Sequence, residues 1–112
     1  MSDGLHKKYI PMTETTYYTL LALIQPRHGY AIMQFVNRLT ENRIRLGTGT
    51  LYSMVGRLVD DQMIRIISTD SGKKTYQITD LGLELLRQET KRLKHQLQNG
   101  VDILRQEDND GA

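Results

Sequence analysis

The chain has 112 residues, enough for one small domain, and its 38% hydrophobic share allows a core while leaving apolar surface for a partner. It has no cysteine, which excludes disulfides and thiolate metal sites. The net charge of +2 hides a division: residues 1–79 hold ten basic and six acidic side chains, residues 80–112 five and seven. The first part can meet a polyanion and the second cannot easily do so, although ordinary surface charge would give the same balance.

Residues 1–12 contain Asp3, Lys7 and Lys8 but no apolar run. They read as a loose arm ending at Pro11 and not as a secretion signal. The longest aliphatic run, residues 20–24, is too short for a bilayer. A soluble, cytoplasmic protein with no membrane partner is expected. Thr13 is suited to cap a helix, with Glu14 in the first turn where the helix dipole favours an acid. Tyr17, Leu20, Leu21 and Ile24 then recur at helical spacing until Pro26. His28 and Gly29 open a second helix, with Ile32, Phe35, Val36 and Leu39 on one face, running to about Thr40. After the turn at residues 46–49 comes a third. Leu51, Met54, Val55 and Leu58 form its apolar sector, while Gly49, Ser53, Gly56, Arg57 and Asp60 lie opposite; it should end near Asp61.

The period then changes. Ile64, Ile66 and Ile67 form one β-prone run and residues 75–79 another, with strong turn chemistry at residues 70–74 between them. This predicts a hairpin with a basic tip. Thr79 caps a last helix, with Asp80 in its first turn, reaching about Arg105. Residues 106–112 read as a disordered tail. The fold class is therefore mainly α with a small β-hairpin: a winged helix-turn-helix over residues 13–79, then a long C-terminal dimerisation helix over residues 80–105.

That architecture sets the third helix in the DNA major groove and the wing tip on backbone or minor groove. A helix can approach DNA closely only if its outward face is small, and Gly49, Ser53 and Gly56 make it so. Thr48 and Thr50 bring hydroxyls to the helix start, where free N–H groups favour phosphate. Tyr52 can reach phosphate or sugar, and Arg57 a phosphate or a guanine edge. Gly56 could equally serve close helix packing and Tyr52 be half core. Arg27 and His28 lie at the start of the second helix, placed for a phosphate, although His28 could simply cap it. Lys73 and Lys74 at the wing tip are phosphate candidates, or a solvated turn.

In the last helix Leu86, Thr90, Leu93, Leu97, Gly100 and Leu104 alternate by four and three as a heptad seam, widened by Val101 and Ile103. Arg87, Glu89, Lys91, Arg92 and Lys94 fill the polar side. Such a stripe could pack on its own domain, but beyond Thr90 so short a domain offers little surface, and a second copy is expected there.

Enzyme readings are weak. Ser71, Gly72, Lys73 and Lys74 spell the Ser-x-x-Lys string of serine acyl-enzymes, but in a turn with no helix to fix the serine. Gly47-x-Gly49 lacks the strand and third glycine of a dinucleotide site. His6, His28 and His95 have no metal spacing. No catalytic residue, metal or cofactor is expected.

The run Leu46-Gly47-Thr48-Gly49-Thr50-Leu51-Tyr52, followed by Arg57-Leu58 and Ile64, resembles the PadR family of bacterial transcriptional regulators. Residues 18–23, residues 26–32 and Lys74-Thr75-Tyr76-Gln77-Ile78-Thr79-Asp80-Leu81-Gly82 resemble its other elements in the same order. The resemblance covers residues 13–86. It implies a homodimeric repressor that binds double-stranded DNA at a dyad-symmetric, palindromic operator and responds to a small aromatic or amphipathic effector. It also implies that Tyr17 or Leu21 of the first helix joins Leu86, Leu93, Leu97, Val101 and Leu104 at the dimer interface. Thr48 stands where many relatives have proline, and the tryptophan that lines the drug pore of some compact relatives is missing. A winged-helix module that binds only proteins is the competing reading, and an apolar, exposed third helix would mark it.

Overall fold

The computed structural model describes residues 3–110. In chain order these form α1 (Asp3–Tyr9), α2 (Glu14–Ala22), β1 (Arg27–His28), α3 (Gly29–Leu39), α4 (Thr48–Asp60), β2 (Ile64–Asp70), β3 (Lys73–Ile78) and α5 (Asp80–Asp110). Among the described residues no helix is long and apolar enough to cross a membrane.

The caps expected from sequence are in place. The Thr13 hydroxyl accepts the Thr16 N–H at 3.2 Å, and the Thr79 hydroxyl accepts the Gly82 N–H at 3.0 Å. His28 caps α3, its Nδ1 accepting from the Ala31 N–H at 3.4 Å. α2 stops before Pro26 because its last carbonyls are taken elsewhere. Ala22 O accepts from the Arg27 guanidinium, and Leu23 O accepts the Ile78 N–H at 2.8 Å. Each helix turns an apolar stripe inward. Leu20 and Leu23, Ile32 and Val36, Leu51 and Leu58, and Leu85 from α5 are all fully buried.

The wing is a three-stranded antiparallel sheet in the order β1-β3-β2, not the two-stranded hairpin that the sequence predicts. β1 is only two residues long, too short for a period-2 pattern, and it pairs Arg27 with Tyr76 and His28 with Thr75. The turn is also tighter than residues 70–74 suggested. Asp70 pairs with Lys73, leaving Ser71 and Gly72 as the loop, with φ of 52° and 80°. Two successive positive φ values match the twist of a tight hairpin, and Gly72 takes one without strain. A bulge between Ile66 and Ser68 breaks the alternation, so Ile66 and Ile67 are both exposed.

Both ends of the chain differ from the expected picture. Residues 3–9 are helical and docked, not a loose arm. Tyr9 is buried, and its hydroxyl donates to Asp61 Oδ2 at 2.5 Å, while Lys8 Nζ lies 2.7 Å from the same oxygen. Burial, and then the Asp61 carboxylate, push the Tyr9 hydroxyl up to about 12, so it stays a neutral donor. Hydrogen bonds from Lys8 and Tyr9 in turn hold Asp61 below its usual value. At the other end, α5 continues through Asp110 where a frayed tail was expected from residue 106; residues 111 and 112 lie outside the described residues.

α5 leaves the end of β3 at a point of close contact. A Cβ on Gly82 would collide with the Met63 carbonyl oxygen, so only glycine lets the helix start there. Its first turns belong to the core. Leu86, placed on the intersubunit seam by spacing alone, is 3% exposed and packed within its own domain. From Lys94 to Asn109 every residue is exposed.

Candidate nucleic-acid interface

The exposed side of α4 is the one the sequence predicts. Leu51, Met54, Val55 and Leu58 point into the core, and Thr48, Gly49, Thr50, Tyr52, Ser53, Gly56 and Arg57 are exposed. Among the described residues nothing outside α4's own nearby backbone comes within 4 Å of a Cβ placed on Gly49 or Gly56, so these glycines are not required by packing there and leave the helix face low. At the start of α4 the Gly47 N-cap has no side-chain cap bond, so backbone N–H groups there remain available to an acceptor from outside.

A polar cleft lies on each side of this face. One, of about 490 Å³, runs between α4 and the start of α2, and is lined by Thr13, Thr15, Thr16, Gly49, Thr50, Ser53, Met54 and Arg57. It brings five hydroxyl side chains of α2 and its cap, and of α4, to one guanidinium. The other, of about 470 Å³, runs between α4 and the wing, and is lined by His28, Gly29, Tyr30, Tyr52, Gly72, Lys73, Lys74 and Tyr76. Tyr52 is fixed there by close packing on Gly29, where a Cβ would collide with the Tyr52 ring and hydroxyl. Tyr30 is 61% exposed at the first turn of α3. Among the described residues neither Lys73 nor Lys74 has an ion-pair partner. Both clefts thus offer hydrogen-bond donors and positive charge, which suits phosphate oxygens.

Most of the sequence-predicted residues are brought together. Thr50, Ser53 and Arg57 meet in the first cleft, and His28, Tyr52, Lys73 and Lys74 in the second. Arg27 is not brought to either. Its guanidinium bonds to Ala22 O and lies 4.3 Å from the Phe35 ring centre, so it closes the end of α2. The Thr13, Thr15 and Tyr30 side chains of these clefts were not foreseen. The capping role of Thr13 was the available signal, since a helix start beside α4 also faces whatever α4 faces.

A model of the "Transcriptional regulator PadR-like family" matches residues 10–88. An uncharacterized 37.1 kDa protein in transposon TN4556 of Streptomyces fradiae is 34% identical over 64 residues, covering 57% of this chain; the chain spans only 18% of that relative's length. The structure of a PadR family transcriptional regulator from Eggerthella lenta is 27% identical, with a TM-score of 0.60 over 92% of this chain and 90% of that one. A PadR-like transcriptional regulator from Bacillus cereus, 18% identical, shares the fold with a TM-score of 0.66 over 91% and 97% of the two chains. H. salinarum RosR, 17% identical, shares it with a TM-score of 0.67 over 90% and 96%.

Proposed function

Because the chain belongs to the PadR-like family of transcriptional regulators, we propose that it is a homodimeric repressor that binds a palindromic operator in double-stranded DNA and is released by a small effector. The observation that carries this reading is the exposed face of α4. It is small and hydroxyl-bearing at Gly49, Thr50 and Ser53, and it is flanked on both sides by clefts of phosphate-binding character. A protein-binding helix would present large apolar side chains there instead. α4 enters the major groove with Ser53 and Arg57 at base edges. Thr48, Thr50 and the start of α2 hold one backbone, and His28, Tyr52, Lys73 and Lys74 hold the other.

The second copy joins through α5, where Leu93, Leu97, Val101 and Leu104 form the seam, with Tyr17 and Leu21 of α2 at its edge. A 2.7 Å hydrogen bond between the Tyr17 hydroxyl and Thr90 Oγ1, which ties Tyr17 to α5, supports this reading. An effector of aromatic or amphipathic kind binds between these helices against aliphatic and tyrosine side chains, since the chain has no tryptophan.

Titration against duplex DNA at several salt concentrations tests the reading. The log–log slope is about −0.9 per phosphate neutralised, so roughly −5 or steeper for a dimer. Replacing Lys73 and Lys74 with alanine flattens that slope and weakens all sequences alike. Replacing Ser53 or Arg57 costs about 1–3 kcal/mol wherever a base contact is lost, and relaxes preference at particular positions. Salt-independent binding, or wing variants that change sequence preference while α4 variants do nothing, contradicts the assignment.

A further inference from the structure

Arg57, the only cation of α4, stands where two clefts meet. It lines the cleft between α2 and α4, and also a smaller one, of about 270 Å³, whose lining includes Lys8 and Tyr9 of α1. Two acids follow it along the chain. Asp60 is three residues on and Asp61 four, the spacings at which charged side chains meet on a helix. Yet among the described residues Arg57 has no ion-pair partner.

Asp61 is the C-cap of α4. A carboxylate there faces the negative end of the helix dipole, where a cation is favoured. α1 supplies that cation. Lys8 Nζ lies 2.7 Å from Asp61 Oδ2, and the buried Tyr9 donates its hydroxyl to the same oxygen at 2.5 Å. The Arg57 charge also helps to hold Asp61 below its usual value, behind the hydrogen bonds from Lys8 and Tyr9. The guanidinium is therefore within electrostatic range of a carboxylate that two other donors already hold. Without them the two side chains are the natural partners of one another, since both belong to the last turn of α4 and its cap.

We propose that α1 is a specificity element: Lys8 and Tyr9 hold Asp61, keep its carboxylate from pairing with Arg57, and so leave the guanidinium free to read DNA. Lys8 and Tyr9 are positioning residues that act through Asp61. The inference rests on the reading of α4 as the DNA-reading helix and adds the contact that frees its one cation. A guanine edge offers only acceptors to such a side chain, so a guanidinium whose donors are turned to a carboxylate cannot read it.

The test compares binding to an operator selected from random duplexes with binding to the same duplex changed at the base pair whose preference Arg57→Ala relaxes. Lys8→Ala with Tyr9→Phe lowers that ratio by about two- to fivefold, the range that an exposed ion pair can withhold. Preference at other positions stays as in the wild type. Lys8→Ala alone, at a side chain 47% exposed, moves the ratio in the same direction without touching the core. Adding Asp61→Asn to the double variant restores the ratio, because the amide has no charge to offer Arg57. Asp61→Asn alone leaves it at the wild-type level, although it removes the ion pair between α1 and α4. Circular dichroism reads the fold of each variant. An unchanged ratio in the double variant overturns the proposal. So does a ratio that Asp61→Asn alone lowers, which makes the contact an anchor and nothing more. A uniform loss over all sequences with a flatter salt slope, not rescued by Asp61→Asn, makes Lys8 a direct phosphate contact and also overturns it. An Arg57→Ala variant that changes no preference removes the reading of α4 itself, and the inference with it.

Discussion

Leu93→Asp combined with Leu97→Asp gives a folded monomer whose affinity for its operator is lower by about a thousandfold or more. Leu97 is 68% exposed and Leu93 half-buried, so the fold does not depend on either as it does on Leu85. At an intersubunit seam each is worth roughly 1.5–3 kcal/mol before the cost of association is subtracted. Two aspartates per chain replace that gain with buried charge in both copies, which no association would tolerate. The loss on DNA follows from geometry. A monomer holds one half-site and falls toward non-specific affinity. Sedimentation reads the mass, circular dichroism the retained helix content, and a binding assay the affinity. A double variant that remains dimeric and still binds tightly places the interface elsewhere.

Glu89→Ala destabilises the domain by about 2–3 kcal/mol. Glu89 is wholly buried. One oxygen accepts the Met12 N–H at 2.8 Å, and the Arg92 Nε and Nη2 donate to the two oxygens at 2.6 and 2.9 Å. The carboxylate thereby ties the α1–α2 junction to α5. Its removal strands the Met12 amide and the Arg92 charge, although Arg92 is about one-third exposed and water relieves part of that cost. The Arg92 hydrogen bonds, outweighing burial, hold Glu89 below its ordinary value. A carboxylate depressed in the folded state contributes stability above its unfolded value of about 4.3, and loses it as pH falls through the folded value. The gap between wild type and variant in urea unfolding is therefore full at pH 7 and narrows below about pH 4. An equal gap at both pH values contradicts the account.

What the sequence shows best is what repeats along it. α2, α3, α4 and the start of α5 were legible because a buried stripe leaves a period, and caps such as Thr13, His28 and Thr79 mark its beginning. β1 was not legible, since two residues carry no period and its pairing partner is about fifty residues away. α1 was hidden for a related reason: its anchors, Tyr9 to Asp61 and Met12 to Glu89, are single long-range contacts. Glu89 and Arg27 show the same limit in side chains. Glu89 sits on the polar side by sequence, yet it is buried because the α1–α2 junction folds over it. Arg27 has the charge and position for phosphate, yet a carbonyl and an aromatic ring claim it. For α4 the exposed face was readable because the apolar sector fixes its opposite. The two clefts were not, since each joins α4 to residues distant in the chain.

The central claim is that two α4 helices read DNA as a symmetric pair. Selection of the full-length protein on a pool of random duplexes tests it most directly. The account predicts enrichment of a pseudo-palindrome whose half-sites are centred about 34 Å apart, one turn of DNA, with the preference at individual positions relaxed in the Ser53→Ala and Arg57→Ala variants. No enriched sequence, or a single unpaired half-site unaffected by either substitution, would contradict it.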